Sequence, residues 1–113
     1  MYSKELLKGT LQTIVLRLLS ERGKMYGYEI TQTVKALSAD KIQLTEGALY
    51  PSLHKLEKDG LLQTEKLRVN GRVRKYYQLT PTGKRAARDR THEFADFVQT
   101  MRLLLNLQPD TNL

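Results

Sequence analysis

The sequence contains no cysteine, which excludes disulfides and thiolate metal sites. Histidine is nearly as scarce: His54 and His92 are the only two. Neither stands in a recognised motif with a neighbouring nucleophile or carboxylate. His92 and Asp96 lie one helical turn apart, a spacing far more common in surface pairs than in catalytic or metal-binding couples. No glycine-rich phosphate loop is present. No apolar run approaches a membrane span, and Met1–Leu11 lacks the pattern of a signal peptide. These absences leave no candidate for catalysis, a cofactor or a metal. The expectation is a soluble cytoplasmic protein, not an enzyme, with no membrane partner.

What the chain does have is positive charge in one place. Its formal net charge is +7 over 113 residues, enough length for one core. Between Lys55 and Arg90 eleven bases face four acids, and the remaining eight bases and eight acids cancel. The whole excess therefore lies in one third of the chain. A generically basic surface would spread it out, whereas a polyanion-binding face concentrates it.

The stretch from Leu44 to Leu62 organises the rest. Thr45 suits a helix N-cap and Glu46 suits the positive end of the helix dipole. Leu49, Leu53 and Leu56 recur at i, i+4 and i+7 as one buried stripe, and Gly60 ends the helix. Rotation about the axis places Gly47, Tyr50, Pro51, His54, Lys55 and Lys58 away from that stripe. A small residue, then an aromatic ring, then cations suits a helix entering a DNA major groove by its N-terminal end. The rival is an ordinary amphipathic helix with a solvated face. Pro51 sits inside the pattern, so either the helix kinks near Gly47 or it starts later than Thr45.

Two helices precede this one. Leu7, Leu11, Ile14, Val15, Leu18 and Leu19 keep helical spacing from about Lys4 to Glu21; Gly9 and Thr10 weaken the first turns, so the alternative is a start nearer Gly9. Tyr26, Ile30, Val34 and Leu37 mark a second from about Tyr26 to Leu37. Ser38–Gln43 reads as a polar connector. Three helices in this order form a helix-turn-helix core.

A hairpin follows. Gln63–Val69 and Arg72–Leu79 flank Asn70-Gly71, a strong two-residue turn signal because both positions need positive φ. Counting back pairs Val69 with Arg72, Leu67 with Arg74, Thr64 with Tyr77 and Leu62 with Leu79. Alternation puts Leu62, Thr64, Tyr77 and Leu79 against the helices, and Arg72, Arg74, Tyr76 and Gln78 on the other face. Leu67 and Val69 find no core in this register, and a bulge or a mobile tip would account for them. So basic a ribbon reads as a wing, its rival being a solvated hairpin tip.

Thr80-Pro81 opens a last helix running to about Leu107. Its early part is basic and nearly free of large apolar groups. Its later part carries Phe94, Phe97, Val98, Met101, Leu104 and Leu105 at three-and-four spacing. A helix that extends past so small a core needs a partner for that stripe, most simply a second copy about a two-fold axis. The tail after Gln108-Pro109 is expected to be disordered. The fold class is therefore mainly α with a small β-hairpin, a winged helix-turn-helix plus a long C-terminal dimerisation helix. Residues 1–80 form the DNA-binding domain, and residues 81–113 form the dimerisation helix and tail.

These residues resemble the PadR family of winged-helix transcriptional regulators. Gly27-Tyr28-Glu29 matches the family's G-Y-E pattern, and Gly47-Ala48-Leu49-Tyr50-Pro51 through Leu56-Glu57 matches its G-[TSA]-L-Y-P-x-L-x-x-L-E motif. Gly60-Leu61-Leu62 and Arg74-Lys75-Tyr76-Tyr77-Gln78-Leu79-Thr80-Pro81-Thr82-Gly83 follow in register. The chain is similar to the short subfamily with a single C-terminal helix. The resemblance implies a homodimeric repressor on an inverted-repeat operator. It places Tyr50 and Pro51 on the DNA-facing helix and Arg74-Lys75 in the wing. One departure is Tyr26, where many members carry histidine, although an aromatic ring can still pack at the same place.

The expected DNA-binding residues are thus Thr45, Gly47, Ala48, Tyr50, Pro51, His54, Lys55, Arg72, Arg74, Lys75 and Tyr76, with double-stranded DNA as partner. Phe94 and Phe97 lie where a small aromatic or lipophilic effector would sit between dimer helices in this family. The plainer alternative makes both rings dimer core. The alternative function is a winged-helix module for protein–protein or RNA contact, which the scarcity of exposed aromatics for base stacking disfavours.

Overall fold

The sequence of elements begins with an interruption. In the computed structural model, which describes residues 2–107, the first helical stretch is two helices, α1 (Lys4–Leu7) and α2 (Leu11–Arg22). Gly9 at φ +89° breaks them apart, and the Thr10 hydroxyl donates to the Leu7 carbonyl at 2.7 Å. The start from Lys4 is therefore corrected in favour of the alternative start nearer Gly9, at the residues whose low propensity weakened the first turns. In α2, Val15, Leu16, Leu18 and Leu19 are all buried. Leu16 lies off the expected stripe, yet α2 packs against α4 (Glu46–Lys58), β3 (Arg72–Leu79) and α5 (Pro81–Leu104) and so is covered on several sides.

Met25–Tyr26 forms β1, a strand too short to leave a periodic signal. It pairs antiparallel with β3, setting Met25 opposite Tyr77 and Tyr26 opposite Tyr76 in a sheet of order β1-β3-β2, where β2 is Leu62–Val69. Helix α3 (Gly27–Leu37) buries Ile30 and Val34. Leu37, expected on that inner stripe, is the last residue of the helix and is 66% exposed.

Helix α4 (Glu46–Lys58) starts where Thr45 accepts the Ala48 N–H at 3.1 Å. It runs through Pro51 without interruption, which settles the start left open by that residue. Proline has no N–H to offer the Gly47 carbonyl, but both residues are exposed. Leu49, Leu53 and Leu56 are fully buried. At the far end Gly60 takes φ +78°, donating to Glu57 at 3.0 Å while Leu61 donates to Leu56 at 2.9 Å. That paired closure turns the chain so that Leu61 and Leu62 fall back into the core.

Strands β2 (Leu62–Val69) and β3 (Arg72–Leu79) pair in the expected register, from Leu62 with Leu79 to Val69 with Arg72. Asn70 at φ +50° and Gly71 at φ +78° make the turn. The ladder holds no bulge, so Leu67 and Val69 stay half-buried on the face they share with Arg72 and Arg74.

Helix α5 (Pro81–Leu104) begins with Thr80, which accepts the Gly83 N–H at 3.0 Å and donates its own hydroxyl to the Gly60 carbonyl at 2.7 Å. It ends at Leu104 rather than Leu107, and the tail from Gln108 lies outside the described residues. Its first turns join the core through small residues: Gly83 and Ala87 are buried, and Arg90 donates to the Gln12 side-chain oxygen at 3.0 Å. A β-carbon on Gly83 would fall on the Leu61 carbonyl, whose oxygen accepts the Thr80 N–H at 3.0 Å. Gly83→Ala is therefore expected to lower stability by about 1–3 kcal/mol, read as a shifted urea midpoint with an unchanged slope.

Candidate nucleic-acid interface

The Leu49–Leu53–Leu56 stripe fixes the rotation of α4 and with it the residues turned outward. Thr45, Gly47, Ala48, Pro51, His54, Lys55 and Lys58 are all exposed. Lys55 reaches Asp59 at 3.0 Å, a solvent-exposed i, i+4 pair of little energetic weight.

Tyr50 departs from the expected outer face. It is half-buried and packs against the core, with its phenol over Gly27 so closely that a β-carbon there would meet its Oη and Cζ. The reason is helical geometry: Tyr50 stands three residues before Leu53 and so borders the buried stripe rather than opposing it. The two motifs at Gly27 and Tyr50 are in contact, which their separation in sequence conceals. Tyr28, which was not among the expected site residues, is 63% exposed beside that junction.

The wing divides its cations between two faces, because successive strand residues point to opposite sides. Arg72, Arg74 and Tyr76 share the outer face with Leu67 and Val69. Lys75 lies on the core side, its Nζ 3.9 Å from a Glu57 carboxylate oxygen and 5.4 Å from the centre of the Tyr77 ring. Arg74 stacks instead on Tyr26, with its guanidinium carbon 4.4 Å from the ring centre. Tyr26 in turn meets Tyr76 edge-on, centroids 5.4 Å apart and planes at 72°. An aromatic ring thus does pack at the position where the resemblance expected histidine. Burial of Tyr77 pushes its phenol pKa up, with the Tyr50 phenol and the Glu57 carboxylate adding to the effect.

The basic third of the chain does not form one face. Lys84 and Arg88 line a cleft of about 940 Å³ with Arg17, Ser20, Gln63 and Gln78, between α2, the foot of the hairpin and α5. The wing tip at Asn70-Gly71 is the opposite end of that hairpin.

Among the described residues nothing covers the distal half of α5. Phe97 is 52% and Leu104 70% exposed, Phe94, Val98 and Leu105 are also exposed, and Met101 is half-buried. Phe94 and Phe97 stand 6.2 Å apart between ring centres. They wall a groove of about 560 Å³ whose other side is Leu6 and Leu7 of α1 with Ile14 and Leu18 of α2. Among the described residues no three His, Asp or Glu side chains cluster as metal ligands, and no helix is long and apolar enough to cross a membrane.

Residues 15–89 match the model of the Transcriptional regulator PadR-like family. A transcriptional regulator of Mycobacterium tuberculosis is 43% identical over 63 residues, 56% of each chain. The fold is similar to that of a transcriptional regulator from Clostridium thermocellum, with a TM-score of 0.79 at 27% identity over 96% of this chain and 100% of that one. A PadR family regulator from Eggerthella lenta aligns with a TM-score of 0.72 at 34% identity, covering 92% of this chain and 88% of the other. Capped helix, basic hairpin, long terminal helix and matched motifs agree: the chain belongs to the PadR-like family of transcriptional regulators.

Proposed function

We propose that this regulator is a homodimeric repressor that reads an inverted-repeat operator, with α4 in the major groove and the wing on the flanking backbone. The observation that carries the reading is the face of α4 left free by its buried leucines, with a basic hairpin beside it. Thr45, Gly47 and Ala48 let the start of α4 come close to the duplex, and Pro51, His54 and Lys55 meet base edges or phosphates. Tyr50 acts from behind, seating α4 on Gly27. Arg72 and Arg74, with Tyr76 beside them, grip the backbone from the outer face of the wing, while Lys75, on the other face near Glu57, is left out of that contact; two such helices stand about 34 Å apart, one turn of DNA.

Residues 1–80 then carry DNA binding and residues 81–113 dimerisation. The support is the exposed stripe of Phe94, Phe97, Val98, Met101, Leu104 and Leu105, which a second copy would cover. The Phe94–Phe97 groove has the size and apolar walls of a small-ligand site. An aromatic or lipophilic effector held there would change the spacing of the two recognition helices and release the operator.

Binding to duplex DNA is expected to fall linearly on a log–log plot against salt. Replacing Arg72 and Arg74 together by Ala should weaken all sequences and flatten the slope by about two units. An unchanged slope excludes the wing as a backbone contact, and preference for single-stranded RNA in competition returns the alternative of an RNA-binding module.

Phe97→Asp should convert a dimer into monomers at micromolar concentration, measured by sedimentation, with a folded monomer whose melting temperature falls and no longer depends on protein concentration. A wild-type chain that is itself monomeric there removes the dimer. For the effector, a thermal-shift screen of planar aromatics is paired with operator binding. Compounds that raise the melting temperature should also weaken the operator complex, and stabilisation without that loss leaves both rings as dimer core.

A further inference from the structure

Two adjacent residues hold the two elements that the proposed reading sets on DNA. Gly27 receives Tyr50 of α4, and Tyr26 receives Arg74 of β3. Tyr26 is itself fixed by two backbone contacts and one ring contact. Its backbone pairs with Tyr76 in the β1–β3 ladder, its N–H donates to the Glu29 carboxylate at 3.3 Å, and the Tyr76 ring abuts it edge-on. The Arg74 guanidinium lies over the ring at 4.4 Å and, among the described residues, makes no ion pair. A cation on an aromatic face has no anion beside it to offset its field, whereas one beside a carboxylate shares its field with that group. Nearby Lys75 shows the other arrangement, with Glu57 at 3.9 Å.

We propose that Tyr26 is a positioning residue for DNA binding: its ring sets the Arg74 guanidinium in place, charged and ordered, so that the wing meets a phosphate without first having to order that side chain. The proposal rests on the reading of Arg74 as a DNA contact. Ordering before binding removes an entropic cost that a free arginine would incur on association. Phenylalanine offers the same face and should serve as well. Leucine keeps the bulk needed in β1 but offers no face.

The test is a double-mutant cycle on Tyr26 and Arg74, reading affinity for a labelled mixed-sequence duplex at low ionic strength, with melting curves for each variant. Arg74→Ala should weaken binding about three- to tenfold and Tyr26→Leu about threefold, while Tyr26→Phe stays within about twofold of wild type. In the Arg74→Ala background Tyr26→Leu should add nothing. If Tyr26→Leu melts below the assay temperature, Tyr26→Met carries the same test. No loss from Arg74→Ala overturns both the DNA contact and the proposal. A loss from Arg74→Ala with an additive, or absent, effect of Tyr26→Leu overturns the proposal and leaves the contact standing.

Discussion

The structure depends on the burial of three leucines. Leu49, Leu53 and Leu56 are wholly withdrawn from solvent, and α4, which carries them, packs against α2, α3 and β2. Exposing any one of them costs about 2–3 kcal/mol, so α4 cannot roll about its axis by even one residue. That constraint selects the outward residues. It also sets the exit from the helix, because the turn at Gly60 must return Leu61 and Leu62 to the same core, which aims the hairpin.

Around that stripe the chain uses tyrosine where a larger protein would use a second layer of core. Five of its six tyrosines lie at the junction of α3, α4 and the sheet. A tyrosine packs through its body and keeps a polar rim, which suits a junction that is half open to water. Tyr77 lies at the buried end, Tyr26, Tyr50 and Tyr76 at the half-buried middle, and Tyr28 outside. The arrangement joins α4 to the hairpin through contacts with the dipeptide Tyr26-Gly27, so the two elements share one support.

Helix α5 solves two packing problems with one rod. Its first turns carry Gly83 and Ala87, small enough to let the backbone lie against Leu61 and α2, so they anchor without large side chains. Its distal turns leave the core behind and carry Phe94, Phe97, Val98 and Leu104 into the open. The basic residues between are divided from those of the wing by the length of the hairpin. Charge that is contiguous in sequence is therefore separate in space.

Much of this was legible in local chemistry. The Thr45 and Thr80 caps, the stop at Gly60, the Asn70-Gly71 turn and the register it imposes depend on residues within a few positions of one another, and each appears as expected. Motif spacing identified the family for the same reason, since the matched blocks are short and in order. The tertiary structure alone decided what depends on neighbours distant in sequence. It turned Tyr50 inward onto Gly27, placed Arg74 and Lys75 in different company, added a two-residue strand at Met25–Tyr26 and left Leu37 uncovered. Periodicity shows which side of an element is apolar, but what covers that side is set by chain that arrives from elsewhere.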